Sequence, residues 1–169
     1  MRALIGIPLT ETIEKWIERI QIPLPDSDWI QPHSLAIPLF WLDEINSSDL
    51  KDLIDELYFL SHPPFTIKFK RIELGPKGQV FIILDAPFEQ LNMKLKASFK
   101  RIKKNNTPSQ PTRLFIGKIP LNLKNKFTEF SIPFFTEFQA TSFALWEEGK
   151  TNFETARFTL FETPPSKPL

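Results

Sequence analysis

The segment from Phe65 to Leu84 constrains this chain more than any other. Phe65, Ile67 and Phe69 alternate with Thr66, Lys68 and Lys70, the period-two pattern of a strand with one buried and one wet face. Gly75 to Gly78 supplies the turn, and Val80 to Leu84 the returning strand. A second hairpin is expected near the C-terminus, where Phe138 to Trp146 runs into a turn at Glu148 to Thr151 and then the alternating strand Phe153 to Phe161. Hairpins pair antiparallel. A doubly wound parallel sheet is therefore excluded, and the class is α+β.

Helices interleave with these strands. Arg2 to Leu9 reads as a strand, after which Thr10 offers an N-cap to a helix bearing Ile13, Trp16, Ile17 and Ile20 on one stripe. A Pro-rich link from Ile22 to Pro32 leads to an apolar strand, Leu35 to Leu42, that carries Pro38. Ser47 or Ser48 is expected to cap a second helix with Leu50, Leu53, Ile54 and Leu57 inward, ending before Pro63. Phe88, Leu91, Leu95, Phe99 and Ile102 mark a third. Lys103 to Thr112 is polar, contains two Pro and reads as a mobile loop before the apolar run Leu114 to Ile119. An irregular stretch, Pro120 to Pro133, follows.

The expected architecture is two lobes of sheet backed by helices. At 169 residues the chain fits one domain, and 17 Phe with 4 Trp supply its core. A formal charge of +1 creates no overall field for nucleic acid or anionic membrane, so any such binding must be local. With no Cys and two His, His33 and His62, thiolate chemistry and disulfides are excluded, and neither a metal nor another cofactor is expected. The opening apolar stretch is broken at Thr10 and Glu11, and nothing approaches the roughly 20 apolar residues that span a bilayer. A monomeric cytoplasmic protein is the expectation.

Several segments occur in an order and spacing that resemble the two-histidine phosphoesterase superfamily, in its 2′-5′ RNA ligase-like branch of RNA 2′,3′-cyclic phosphodiesterases. They are the opening Met1-Arg2-x-Leu4-Ile5-x-Ile7-x-Leu9, Trp29-Ile30-Gln31-Pro32 leading to Leu35, and Pro64-Phe65 followed by Gly78-x-Val80-Phe81. Leu145-Trp146 to Gly149, then Phe153 and Phe158 to Leu160, completes the set. The resemblance covers nearly the whole chain. It implies a single bilobal domain over residues 1–169, two antiparallel sheets around a central groove, and an internal pseudo-symmetry.

That family carries two His-x-Thr motifs on matching strands, one His as base and one as acid, with the Thr hydroxyls holding phosphate. Residues two apart on a strand face the same way, so both side chains of a motif enter the groove. Here the family pattern Pro-Glu-Asn-Leu-His-x-Thr-Leu aligns with Pro32-His33-Ser34-Leu35-Ala36-Ile37-Pro38-Leu39, placing Ala36 at the His and Pro38 at the Thr. The second motif aligns with Arg113-Leu114-Phe115, followed by Ile116-Gly117-Lys118. All four reactive groups are absent.

Arg113 stays protonated and cannot exchange protons, but it can clamp a phosphate. Phe115 can stack on a base, and Arg113, Phe115 and Lys118 are the ligand-binding candidates. The resemblance thus implies an inactive relative that binds RNA ends, a nucleotide or a protein partner. The alternatives are a phosphodiesterase using other residues, His33 among them, and a purely structural or interaction domain whose groove is filled by Ala36 and Phe115.

The remaining features have plainer readings. His33 is expected in a solvated link and His62 in a loop. Lys100, Arg101, Lys103 and Lys104 suit a helix C-terminus, where the macrodipole favours cations, although they could also track phosphates. Lys68, Lys70 and Arg71 line a wet strand face. Trp16 and Trp41 read as packing, while Trp29 and Trp146 flank the groove. Asp43, Glu44, Asp49, Asp52, Asp55 and Glu56 read as a solvated helix face.

Overall fold

A computed structural model describes residues 1–101, 113–125, 136–148 and 154–161, together with the backbone of 106–108. Among them, two antiparallel five-stranded sheets are backed by three helices. In chain order the elements are β1 (Ala3–Pro8), α1 (Glu11–Gln21), β2 (Asp28–Trp29), β3 (Ala36–Leu42), α2 (Ser47–Tyr58), β4 (Phe65–Leu74) and β5 (Gln79–Asp85). Then come α3 (Glu89–Arg101), β6 (Asn106–Pro108), β7 (Arg113–Lys118), β8 (Thr136–Ala140), β9 (Ser142–Glu147) and β10 (Ala156–Thr159). Sheet A runs β10-β9-β1-β3-β6 and sheet B runs β2-β7-β5-β4-β8.

The helices form where the apolar spacing places them. Thr10 caps α1, its hydroxyl accepting from the Ile13 N–H at 3.3 Å, and Ile13, Trp16, Ile17 and Ile20 are buried. The α2 cap is Asn46, not Ser47 or Ser48. Asn46 holds an extended backbone and its Oδ1 accepts from the Asp49 N–H at 2.8 Å, which leaves both serines inside the first turn. α1 packs on sheet B through Trp16, stacked on Phe69 with centroids 5.3 Å apart. α3 packs on sheet A through Phe99, edge-on to Phe40 at 5.1 Å. Buried residues from both sheets join in one core cluster.

The β4-β5 hairpin closes at Gly75, whose N–H bonds the Gln79 carbonyl at 2.7 Å, and Gly78 takes the positive φ of 81° that the turn requires. The C-terminal pair β9-β10 also forms, with Leu145 opposite Ala156 and Phe143 opposite Phe158. Residues 149–153, which hold most of its expected turn, lie outside the described residues.

Two expectations need correction. The run Phe138 to Trp146 is not one strand: it breaks at Thr141, so that β8 pairs with β4 in sheet B and β9 with β1 in sheet A. The buried positions change parity there, from Phe138 and Ala140 to Phe143 and Leu145, as the hydrogen-bonding partner changes. The stretch Lys103 to Thr112 is also not wholly a loop, since Asn106–Pro108 pairs with Phe40, Trp41 and Leu42 of β3.

Candidate functional site

The two sheets approach along β3 and β7, the strands that hold Ala36 and Pro38, and Arg113 and Phe115. Burial alternates along both. On β3, Ile37 is buried while Ala36 and Pro38 are partly open; on β7, Leu114 and Ile116 are buried while Arg113 and Phe115 are exposed. A bulge at Leu39 shifts the β1-β3 register, because Ile5 pairs with Phe40 but Gly6 with Pro38. Pro38 lacks an N–H, and it sits where β1 meets the bulge and β6 has not yet begun. The bulge also returns Trp41 to the face of Ala36 and Pro38. Trp41 is therefore half-buried on the cleft side rather than in the core, contrary to its sequence reading.

These registers build a floor in rows. Leu4 pairs with Trp41 on one side and Trp146 on the other, so an indole, an isobutyl group and a second indole cross three adjacent strands. The next positions are Pro38 opposite Gly6, then Ala36 opposite Pro8. Small residues here leave a hollow. A Cβ on Gly6 would stand 2.6 Å from the Ile37 carbonyl oxygen, so the close approach of β1 to β3 needs glycine. Leu114 and Phe115 line it from β7, and Ile30, His33, Ser34, Leu35 and Glu14 also border it. The cavity volume is about 630 Å³, which suits a small-molecule ligand.

Of the residues singled out from sequence, Ala36, Pro38 and Phe115 come together around this cavity, and His33 joins them. Arg113 and Lys118 do not line it. Arg113 shares the face of Phe115 but lies over the Phe81 ring, its guanidinium carbon 4.5 Å from the centroid, and Phe81 in turn sits 5.6 Å from Phe115. The three make a cationic aromatic shelf beside the cavity. Lys118 is exposed at the far end of β7, paired through its backbone with Asp28 and Gln79.

Carboxylates from distant segments were missed by sequence reasoning. Glu14 of α1, Glu147 and Glu148 at the end of β9 and Glu154 before β10 border the cavity, against one guanidinium, Arg157. Arg157 donates from Nε to Glu154 at 2.7 Å, with a second contact between the same groups, and the hydrogen bond to Glu154 raises its pKa. Four carboxylates and one guanidinium thus border the cavity. No spacing in the chain signals this grouping, because the β1-β9-β10 pairing and the placement of α1 assemble it.

Other candidates fall elsewhere. His62 is buried, 4% exposed, and edge-on to Phe65, with Nδ1 3.4 Å from Lys94 Nζ; burial and then the Lys94 charge lower its pKa. Its sequence reading as an ordinary loop histidine missed this burial. Trp29 has a structural role, its indole N–H donating to the Leu24 carbonyl at 2.7 Å. Arg101 pairs with Glu56 at 2.7 Å, Arg71 with Glu73 at 2.8 Å and Lys70 with Asp85 at 3.5 Å. Lys103 and Lys104 lie outside the described residues. Among the described residues no group of three or more His, Cys, Asp or Glu could hold a metal, and no helix is long and apolar enough to cross a membrane.

Two antiparallel sheets meeting along β3 and β7 around an open cleft, with helices behind, define the fold of the 2′-5′ RNA ligase-like phosphoesterases. Solved structures carry the assignment. Escherichia coli LigT complexed with NADP+ is 18% identical with a TM-score of 0.70, covering 95% of this chain and 98% of that one. TT0787 of Thermus thermophilus is 18% identical with a TM-score of 0.70, over 96% and 99%. A crystal structure described as a phosphoesterase gives 17% and 0.71, over 95% and 98%. LigT has also been crystallised with ATP, 3′-AMP and phosphate. No protein-family model matches the sequence, and no curated protein is significantly similar to it.

Proposed function

We propose that this protein keeps the 2′-5′ RNA ligase-like cleft as a binding site and has lost the two-histidine chemistry. One observation carries the reading: Ala36 and Pro38, aligned with the first His-x-Thr, stand on the floor of an open cavity. A methyl group and a pyrrolidine can neither move a proton nor hydrogen-bond a phosphate. Across from them Phe115 takes the hydroxyl position. It is 38% exposed, so the groove is not plugged by its own side chain, which weighs against a purely structural domain.

The ligand class that best fits the shelf is a nucleotide or RNA end, its base stacked on Phe115 and its phosphate held by Arg113. The crystal structures of LigT complexed with ATP and with 3′-AMP support this class. Loss of both histidines removes about 10²- to 10⁴-fold per group, so turnover of 2′,3′-cyclic nucleotides and 2′-5′ linked RNA should lie at least ~10⁴-fold below that of an intact relative. Turnover within about tenfold of that relative would refute the proposal. Binding is read separately by titrating 3′-AMP against the parent, Phe115→Ala and Arg113→Ala. Equal affinity in all three removes the shelf from the site.

A second reading rests on His33, which lines the same cavity as Ser34 and Glu14 and could supply a displaced acid and base. Under it, measurable hydrolysis is present and His33→Ala abolishes it. Under the first, His33→Ala changes nothing.

A further inference from the structure

The charges bordering the cavity are the reverse of what a phosphate site needs. We propose that the part of the cavity floored by Trp146 and Trp41 is a subsite for a small organic cation with an apolar body. This subsite is distinct from the Phe115 shelf and does not depend on nucleotide binding there.

Three observations support it. Glu14, Glu147 and Glu148 border the cavity beside the Glu154–Arg157 pair, and Arg2, on the Trp41 ring, is itself paired with Asp43, so carboxylates outnumber guanidiniums around the space and a cationic guest is favoured over a phosphate. The walls between those carboxylates are apolar: Leu4, Leu9, Leu35, Pro38 and Leu114 line the space. They lower the local dielectric and lengthen the reach of each charge. Third, indole faces attract cations, and the chain already uses that chemistry once. The Arg2 guanidinium lies 4.3 Å from the Trp41 ring centroid and bonds Asp43 at 2.7 Å, a cation held between an indole and a carboxylate.

Trp146 lines the cavity together with Glu147 and Glu148, the next two residues of the chain, which brings an indole and exposed Glu148 to the same space. Arg2 occupies part of the Trp41 surface, so Trp146 is the principal contact for a guest. At about 630 Å³ the cavity suits a small molecule rather than a folded partner, and this size favours an amine over a basic protein surface.

The test uses the full chain and three probes of matched shape: 2-phenylethylamine, 2-phenylethanol and phenylacetate, titrated by calorimetry. The amine should bind about tenfold more tightly than the alcohol, the combined worth of one cation–π contact and one partly screened ion pair. Phenylacetate should be weakest. Glu148 is exposed, so Glu148→Gln should leave the fold intact and weaken the amine several-fold while sparing the alcohol. Raising the salt concentration should shrink the advantage of the amine. Equal affinity for amine and alcohol, tighter binding of phenylacetate, or no amine binding at millimolar concentration overturns the proposal. So does a Glu148→Gln variant that weakens amine and alcohol alike.

Discussion

Gly117 joins β7 to β2 and β5 in sheet B, and replacing it by alanine tests how β7 is held. Its φ of 147° lies where side chains are strained, and an added Cβ would meet the Asp28 carbonyl oxygen, Trp29 Cε3 at 2.7 Å and Trp29 Cα at 2.9 Å. The conformation costs about 1–3 kcal/mol in a non-glycine residue, and forcing atoms into filled space adds a further 1–3 kcal/mol or so. Alanine also restricts the unfolded chain, returning about 0.4–1 kcal/mol. The net is near 3 kcal/mol, and at about 2–4 °C per kcal/mol for a chain of this size Tm falls by roughly 6–12 °C.

Scanning calorimetry measures the shift, with urea unfolding as a second reading. Trp29→Ala separates the two costs. In that background the ring contact is gone while the backbone strain and the Asp28 contact remain, so Gly117→Ala should cost about 1 kcal/mol less than in the parent. A Gly117→Ala protein melting within about 1 °C of the parent would show that β2 and β7 yield freely, and the reasoning would fail.

Two other perturbations probe features outside the cleft. His62 has a folded-state pKa below 6.5, lowered by burial and by Lys94, so as pH falls through 6.5 the unfolded chain takes up the proton first and stability declines until the folded pKa is passed. Tm followed from pH 7.5 to 5 should therefore drop more steeply in the parent than in His62→Asn, and parallel curves would count against the assignment. For the α2 cap, Asn46→Ala should cost about 1 kcal/mol while Ser47→Ala stays within about 0.5, and the reverse order in urea titrations would return the cap to the serine.

Much of the fold was legible because burial imposes a period. Ile13, Trp16, Ile17 and Ile20 announce α1 at helical spacing, and Phe65, Ile67 and Phe69 announce β4 at strand spacing; all seven are buried as expected. The orientation of Ala36, Pro38 and Phe115 toward the cleft was legible for the same reason, since alternate residues share a face. Trp41 was misread because the bulge at Leu39 reverses that parity, and Pro38 signals an irregular strand without saying which way it shifts the residues that follow. The α2 cap was misplaced because Asn, Ser and Ser stand in a row and all three can cap.

Sequence alone determined which side chains the chain can present: no thiol, two imidazoles, and a methyl, a pyrrolidine, a guanidinium and a phenyl ring at Ala36, Pro38, Arg113 and Phe115. It also determined the antiparallel α+β class, through turn residues and apolar period. Tertiary structure decided what meets what. It split 138–146 between two sheets at Thr141, laid Arg113 back over Phe81, and drew Glu14, Glu147, Glu148 and Glu154 around one hollow. The physical reason is that periodicity records whether a residue faces solvent or core, a local property. Its neighbour in space, and hence the charge and shape of a site, is set by strand partners far away in the chain.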